Sequence, residues 1–213
     1  MQSFRSQSLE LWNRRLHYYL GLYFLFFLWL FSFTGLLLNH PQWRFTNYWQ
    51  DRKETQFETP LQPRGPLSEL DRAREIMREL GLAGEIDWPA QKQTQGRLDF
   101  AVSRPGLLHR VSADLIQNRA RISRIEVNAW GVMNVLHTFS GTRVNNPAAT
   151  RDWTLTTVWV IAMDAVAAGL LLMVFSSYYM WYRLKPKRRM GLIALTTGIV
   201  TCAFFAVGLG WLR

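Results

Sequence analysis

Tyr18 to Leu38 reads YYLGLYFLFFLWLFSFTGLLL, a run of 21 residues that contains no charged side chain. Because an α-helix rises about 1.5 Å per residue, the run extends about 31 Å, which matches the hydrocarbon thickness of a bilayer. His17 precedes the run and His40 follows it. A helix places these two imidazoles about 35 Å apart, at opposite faces of a membrane. We therefore predict that the run is a transmembrane helix.

Two later stretches of the chain are also strongly apolar. Trp153–Tyr182 contains a single charge, Asp164, and Gly191–Leu212 contains none. The mean hydropathy of −0.06 averages these apolar stretches with a polar middle segment, 41–152, which is about the size of one small domain. The pattern predicts an α-helical membrane protein with three transmembrane helices and an inserted small α+β domain.

Small residues recur at every fourth position of the third apolar stretch. They are Ala194, Gly198, Cys202, Ala206 and Gly210. Such a ridge lets a neighbouring helix approach closely, so we expect it to pack within the same chain, with a homodimer seam as the alternative. Cys202 is the only cysteine, which leaves no disulfide and no thiolate metal site within one chain.

The net charge of +10 is concentrated beside the apolar stretches. Arg183–Arg189 (RLKPKRR) carries five basic residues and no acid, and the N-terminus adds Arg5, Arg14 and Arg15. The middle segment is nearly balanced in charge. Because basic residues beside transmembrane helices retain a loop in the cytoplasm, we interpret the charge as a topology signal and not as a nucleic-acid surface.

This topology divides the chain into three segments. Residues 1–40 form a cytoplasmic lead-in and the first transmembrane helix, and residues 41–152 form an extracytoplasmic domain. Residues 153–213 form the second and third transmembrane helices, which are joined by a basic cytoplasmic loop at 183–190. The N-terminus is therefore predicted to be cytoplasmic and the C-terminus extracytoplasmic.

The middle segment combines one helix with short strands. Ser68–Leu80 has an apolar face at helical spacing, with Ser68 as the N-cap and Gly81 closing the C-terminal end. The polar stretch 51–65 is predicted to be a linker. Residues 130–143 (WGVMNVLHTFSGTR) predict a helix that lies along the outer membrane surface. Strands are predicted at 98–103, 107–113 and 121–127.

Short motifs in two regions of the chain resemble the PepSY-associated transmembrane helix family. LHYYLG at 16–21, with TGL at 34–36, is similar to that family's opening span, and LHTFSG at 136–141 is similar to the segment before its second span. The family is related to inner-membrane ferric-siderophore reductases, whose histidine pairs hold two b-type haems that pass electrons across the membrane. The resemblance implies a PepSY-like domain in a bacterial cytoplasmic (inner) membrane protein. This chain departs from those relatives because it has four histidines and lacks a fourth span.

The resemblance makes haem b the expected cofactor, and the topology limits which histidines can hold it. His40 and His137 both fall at the outer face, so they are the candidate axial ligands of one outer haem. His17 is a weaker candidate for an inner haem. The alternative is that these histidines lie at the water interface and bind loop carbonyls. His109 lies on a predicted strand and is expected to be a surface or packing residue.

Asp164 is the one acidic residue within the apolar stretches. An ionised carboxylate inside a bilayer is costly, so such a residue usually faces the interior of a helix bundle with a polar partner. We predict that this intramembrane acid accepts a hydrogen bond from Ser32 or Thr34, which lie at a similar depth. The alternative is a role in proton transfer or beside a haem.

Two functions from different classes fit these features. The first is a membrane-anchored redox (electron-transfer) protein, acting as a reductase-like unit or as the membrane subunit of a larger complex. The second is a non-redox membrane protein whose PepSY-like domain binds or regulates a periplasmic or membrane partner. The expected partners are membrane lipid, a redox or regulatory protein and a second copy of the chain. Hydrolase and nucleotide motifs (HExxH, the nucleophile elbow, the P-loop) are absent from the sequence, and whether the protein is an enzyme is left open.

Overall fold

The computed structural model describes residues 2–62, 68–87, 96–141, 151–183 and 188–211, with 2–7, 45, 210 and 211 described by their backbone alone. In chain order its elements are α1 (Gln2–Asn39), a 3₁₀ turn (Arg44–Thr46), β1 (Lys53–Pro60), α2 (Glu69–Glu79), β2 (Glu85–Asp87), β3 (Arg97–Arg104), β4 (Leu107–Asp114), β5 (Arg119–Glu126), α3 (Ala129–Thr138), α4 (Thr154–Arg183) and α5 (Arg188–Trp211). By length and composition, α1, α4 and α5 could each cross a membrane. They match the three predicted apolar helices and indicate a multi-pass membrane protein.

A five-stranded antiparallel sheet occupies the middle of the chain, in the strand order β1-β5-β4-β3-β2. Strands β3, β4 and β5 confirm the three strands predicted from the sequence. Their register places Phe100 opposite Val111 and Val111 opposite Ile122, so three buried side chains form one row. Helix α2 adds Ala73, Ile76 and Met77 to the same hydrophobic core. Removal of these side chains from water holds the helix on the sheet.

Helix α2 begins and ends as its sequence predicts. The Ser68 hydroxyl accepts a hydrogen bond from the backbone N–H of Asp71 at 3.2 Å, which confirms the N-cap. Gly81 has φ of 63° just after the helix, a left-handed conformation that glycine adopts without a steric penalty from Cβ.

The predicted linker at 51–65 is wrong for residues 53–60, which form the edge strand β1. Strand β1 pairs with β5 along its whole length, from Lys53 opposite Glu126 to Pro60 opposite Arg119. All but one of its side chains are exposed, so no buried face produces an apolar alternation in the sequence. Residues 63–65 lie outside the described residues. Strand β2 was not predicted either, because three residues are too few to form a recognisable pattern.

Contacts divide the chain into two compact units whose borders fall inside α1 and α4. Unit 1 comprises Met1–Phe26 with Ala165–Arg213, and unit 2 comprises Phe27–Asp164. The sheet, α2 and α3 therefore belong to one unit with the last part of α1 and the first part of α4.

Within unit 1, α1 packs against α4 at glycines. The ring of Phe24 fills the notch at Gly169, where an added Cβ would overlap ring atoms. Phe24 is 4% exposed, so the ring is held in this notch. Gly21 faces Met173 with more room, since an added Cβ would lie 3.6 Å from the Met173 methyl group.

Helix α5 presents its small-residue ridge to the surface. A Cβ added at Gly198 would meet nothing within 4 Å, and Ala194, Cys202 and Ala206 are exposed. The prediction that this ridge packs within the chain is therefore wrong for the part of α5 whose side chains are described. The physical reason is that none of the described side chains of α5 is buried in unit 1, and the alternative homodimer seam stays a prediction.

Candidate functional site

Helix α3 confirms the helix predicted within residues 130–143, of which 142 and 143 lie outside the described residues. The Asn128 side chain caps α3 by accepting a hydrogen bond from the backbone N–H of Gly131 at 3.1 Å. An added Cβ at Gly131 would lie 2.7 Å from atoms of both Tyr48 and Val127. Only glycine allows this close approach, which fixes the start of α3 against the sheet.

His137, near the end of α3, contacts the last part of α1. Its Nδ1 lies 2.7 Å from the hydroxyl oxygen of Thr34, which is completely buried. The Thr34 hydroxyl donates to the carbonyl of Leu30 at 2.7 Å, so it accepts from His137. A neutral His137 therefore carries its proton on Nδ1 and has a free electron pair on Nε2. This tautomer is suited to binding a metal ion or a donor through Nε2.

His40 has different neighbours. Its ring stacks on Trp43 with the centroids 4.4 Å apart, and its Nδ1 lies 3.4 Å from the side-chain nitrogen of Gln42. His137 instead contacts α1 at Thr34 and at the ring of Phe31. These positions precede His40 by six and nine residues, which is about 9–14 Å along the helix axis.

The structure therefore does not bring the two predicted haem ligands together. Two histidine ligands of one haem must reach the same iron from opposite faces. His137 has one feature that is common among axial ligands, a hydrogen bond to Nδ1 that orients its ring. The ring of His40 stacks on Trp43 instead, and the paired haem site stays a prediction.

The other two candidate residues, His17 and Asp164, take no part in the contact between His137 and Thr34. His17 lies on α1 in unit 1, and its Nδ1 is buried without a hydrogen-bond partner among the described residues. Asp164 is exposed on α4, and it has no hydrogen bond or ion pair within the described chain. The predicted hydrogen bond from Ser32 or Thr34 is not formed, because Ser32 is exposed and Thr34 is engaged by His137.

A cavity of about 430 Å³ opens between the sheet and α3 in unit 2. Its wall is formed by the ends of β2, β3, β4 and β5, by the loop that follows the 3₁₀ turn, and by the end of α3. Most of its lining residues are apolar or aromatic, and they include Trp49, Leu107, Leu108, Ile125, Val135 and Phe139. A concave apolar site of this size, with a small number of polar groups, is typical of small-molecule binding sites.

Among the described residues, Arg104 is the single cation in the wall of this cavity. Its guanidinium lies over the ring of Trp153, 5.9 Å from the ring centroid, and the side chain is half-buried. Within the described residues Arg104 makes no ion pair. A positive charge beside an apolar surface is therefore left without an anionic partner.

Glu85 lines the same cavity and also holds the start of α4. It is 3% exposed, and its two carboxylate oxygens accept hydrogen bonds from the backbone N–H groups of Asp152 at 2.9 Å and Trp153 at 3.1 Å. Asp152 is in turn paired with Arg74 of α2 at 2.7 Å. A negative charge placed before the first turn of a helix is also stabilised by the helix dipole.

The end of α3 is attached to α4 by a further bond. The indole nitrogen of Trp159 donates to the carbonyl of Phe139 at 3.2 Å. Phe139 also lines the cavity. Two walls of the cavity are therefore bonded to the region of α4, at Glu85 to the backbone just before the helix and at Phe139 to its first part.

His109 is buried beside the core, opposite Val102 and Arg124 in the sheet. Burial lowers the pKa of His109, and the positive charges of Arg124 and Arg104 lower it further, against a smaller opposing effect of Glu126. The prediction of a packing histidine is consistent with this position.

The lowered pKa of His109 predicts a pH dependence of stability. The unfolded chain takes up a proton at His109 near the ordinary histidine pKa of about 6.5, whereas the folded chain resists protonation there. The contribution of neutral His109 to the stability of the fold is therefore complete above about pH 6.5 and is lost as the pH falls below that value. We expect the melting temperature of the parent to fall more than that of His109→Leu between pH 7.5 and pH 5.0. Equal falls in the two proteins would contradict this assignment.

Sequence reasoning did not identify Glu85, Arg104 or Thr34 as members of a site. Glu85 and Arg104 lie in short polar stretches that resemble exposed surface in the sequence, and their partners are far away along the chain. In the sequence, Thr34 is a candidate partner of Asp164 and the first residue of the Thr-Gly-Leu motif. The Thr-Gly-Leu motif that contains it was the one available signal.

The two Leu-His motifs that carry the family resemblance belong to different units, with His17 in unit 1 and His137 in unit 2. His137 lies beside both Thr34 and Gly35 of the Thr-Gly-Leu motif, since an added Cβ at Gly35 would lie 3.7 Å from its ring. The two motifs at 34–36 and 136–141 thus contact each other in the structure. In comparisons of the whole chain, no family model, no curated protein and no solved structure matches it.

Proposed function

We propose that this chain is a membrane-anchored binding protein whose sheet domain receives a ligand or partner segment in the cavity beside α3. The observation that carries the proposal is Glu85, which lines the cavity and also binds the backbone immediately before α4. Occupation of the cavity therefore acts directly on residues that fix the start of an apolar helix. The second attachment, from Trp159 to Phe139, supports the same coupling.

The proposal places the sheet domain on the extracytoplasmic side of a bacterial cytoplasmic membrane. Its support is the set of basic residues at the N-terminus and at Arg183–Arg189, which flank the apolar helices. The resemblance to the PepSY-associated family implies that the sheet domain corresponds to that family's PepSY-like domain. In this arrangement the cavity opens outside the cell, and α4 connects it with the membrane.

Site-specific photo-crosslinking in intact membranes tests the proposal. A benzophenone amino acid replaces Leu108, whose side chain lines the cavity, and a matched control replaces Arg110, two residues further along β4 on the same sheet face. We expect an adduct of discrete mass at Leu108 and none at Arg110. If the two positions give the same products, or if neither gives an adduct, the cavity is not a binding site.

A second candidate is the redox function, with a haem b held in part by His137. The tautomer of His137 favours it, because the bond to Thr34 leaves Nε2 free to bind iron. Bound haem would supply one-electron chemistry. His40 would have to leave its contact with Trp43 to become the second ligand.

Reduced-minus-oxidised absorption spectra of the purified protein test the redox candidate. We expect haem bands in the parent, their loss in His137→Ala and their retention in His109→Leu. Thr34→Val should weaken haem binding without abolishing it, because it removes the hydrogen bond and keeps the size of the side chain. A parent protein that shows no haem bands after expression with excess haem would exclude this candidate.

A further inference from the structure

We propose that the cavity beside α3 binds a single-chain amphipathic anion of the fatty-acid class, with its carboxylate at Arg104 and its chain against the apolar wall. This inference rests on the proposed binding function and names the ligand class of the same site. It starts from two properties of the wall. The apolar side chains offer contact area without hydrogen bonds, and Arg104 offers a positive charge without an ion pair in the described chain.

The acidic residues of the wall do not provide the missing partner for Arg104. Both oxygens of Glu85 accept backbone hydrogen bonds ahead of α4. Asp87 is likewise engaged by another group of the protein. An arginine fork binds a carboxylate through two parallel hydrogen bonds, which makes a carboxylate a suitable head group for this position.

The hydrogen-bonding groups that β4 and the end of α3 contribute to the wall are paired, which favours an acyl chain over a peptide at this part of the cavity. The backbones of Leu107 and Leu108 pair with β3 on one side and with β5 on the other. Thr138 donates to the carbonyl of Val135 at 3.4 Å, and Ser140 has a partner within the protein. A bound peptide would bring unpaired N–H and C=O groups into this cavity, whereas an acyl chain brings none.

The position and size of the cavity fit one acyl chain. Helix α3, which forms one wall, contacts α1 through Trp130 on Phe33 and through His137 on Thr34. Because α1 is a membrane-spanning candidate, an amphipathic ligand can reach the cavity from the bilayer surface. A volume of about 430 Å³ lies near the lower end of the range for small-molecule sites, which favours one chain over a two-chain phospholipid.

Photolabelling of the full-length protein with a diazirine analogue of palmitic acid tests the proposal. Unlabelled palmitate, 1-hexadecanol and a dipalmitoyl phosphatidylglycerol vesicle serve as competitors, since they share chain chemistry and differ in head group or chain number. We expect labelling to map to the cavity around Leu108 and Phe139. Palmitate should compete about tenfold better than hexadecanol, because a charge-assisted hydrogen bond of about 1.5 kcal/mol corresponds to that ratio.

Variants of Arg104 separate the head-group contact from the cavity itself. Arg104→Met should remove the preference for palmitate over hexadecanol, while Arg104→Lys should retain part of it and Arg110→Met should retain all of it. Leu108→Trp should abolish labelling by filling the cavity. Equal competition by the acid and the alcohol in the parent, or better competition by the vesicle, would overturn the fatty-acid assignment. A peptide adduct at a benzophenone in place of Leu108, without palmitate labelling, would also overturn it and would leave the binding function in place.

Discussion

Glu85→Ala is expected to lower the free energy of unfolding of the sheet domain by about 3–5 kcal/mol. The substitution removes the acceptor of two backbone N–H groups, at Asp152 and Trp153, in a place that water reaches poorly. Each hydrogen bond to a charged group contributes about 1.5–3 kcal/mol, and an unsatisfied buried donor has a similar cost. Urea unfolding of the detergent-solubilised protein, followed by circular dichroism, measures the change.

Two further variants make this expectation specific. Glu85→Gln should show an intermediate loss, because its amide keeps one carbonyl acceptor and turns an NH₂ group toward a backbone donor. Glu58→Ala is the matched control, since Glu58 is exposed and its ion pair with Arg121 is also exposed. An exposed pair contributes about 0–1 kcal/mol. If Glu85→Ala and Glu58→Ala unfold alike, Glu85 does not hold the start of α4.

The same variants bear on the proposed function. Hydrogen exchange at residues 151–156 should increase in Glu85→Ala, because the amides before α4 lose their acceptor. Addition of a cavity ligand to the parent should change exchange at these residues. In Glu85→Ala the ligand should have little effect there, since the connection between cavity and helix is cut.

The elements that the sequence predicts well are those whose pattern is local. The apolar helices, the capped helix α2 and the three central strands each show their burial within a few neighbouring residues. Strand β1 shows no such pattern, because it pairs with β5 at the edge of the sheet and all but one of its side chains are exposed. Phe57, one apolar side chain among polar neighbours, was the sole hint of a strand.

The candidate site depended on distances that sequence reasoning does not supply. Topology alone assigns His40 and His137 to the same side of the membrane, but it does not say which residue of α1 His137 contacts. Helix α3 places His137 beside Thr34, well before the residue that ends the helix. The cavity is even less accessible to sequence reasoning, because Glu85, Arg104 and Phe139 meet only through the fold.

Gly169→Ala is expected to destabilise the packing of α1 on α4 by about 1–3 kcal/mol, the usual cost of overpacking a filled site. The new methyl group would overlap the buried ring of Phe24, so the ring would have to leave the position in which it packs. Alanine is intrinsically a better helix former than glycine by about 1 kcal/mol. A loss of stability in Gly169→Ala would therefore be due to the steric clash with Phe24 and not to helix propensity. Thermal melting of the purified protein in detergent measures it.

Two other glycines of the apolar helices provide matched controls for Gly169→Ala. Gly21→Ala should melt like the parent or slightly higher, because its new methyl group would lie at an ordinary contact distance of 3.6 Å from Met173. Gly198→Ala should behave likewise, since nothing lies within 4 Å. Adding Phe24→Leu to Gly169→Ala should recover part of the loss, because the smaller side chain vacates the notch and the two changes are coupled. If all three alanine variants melt alike, Phe24 does not pack at Gly169 in the membrane protein.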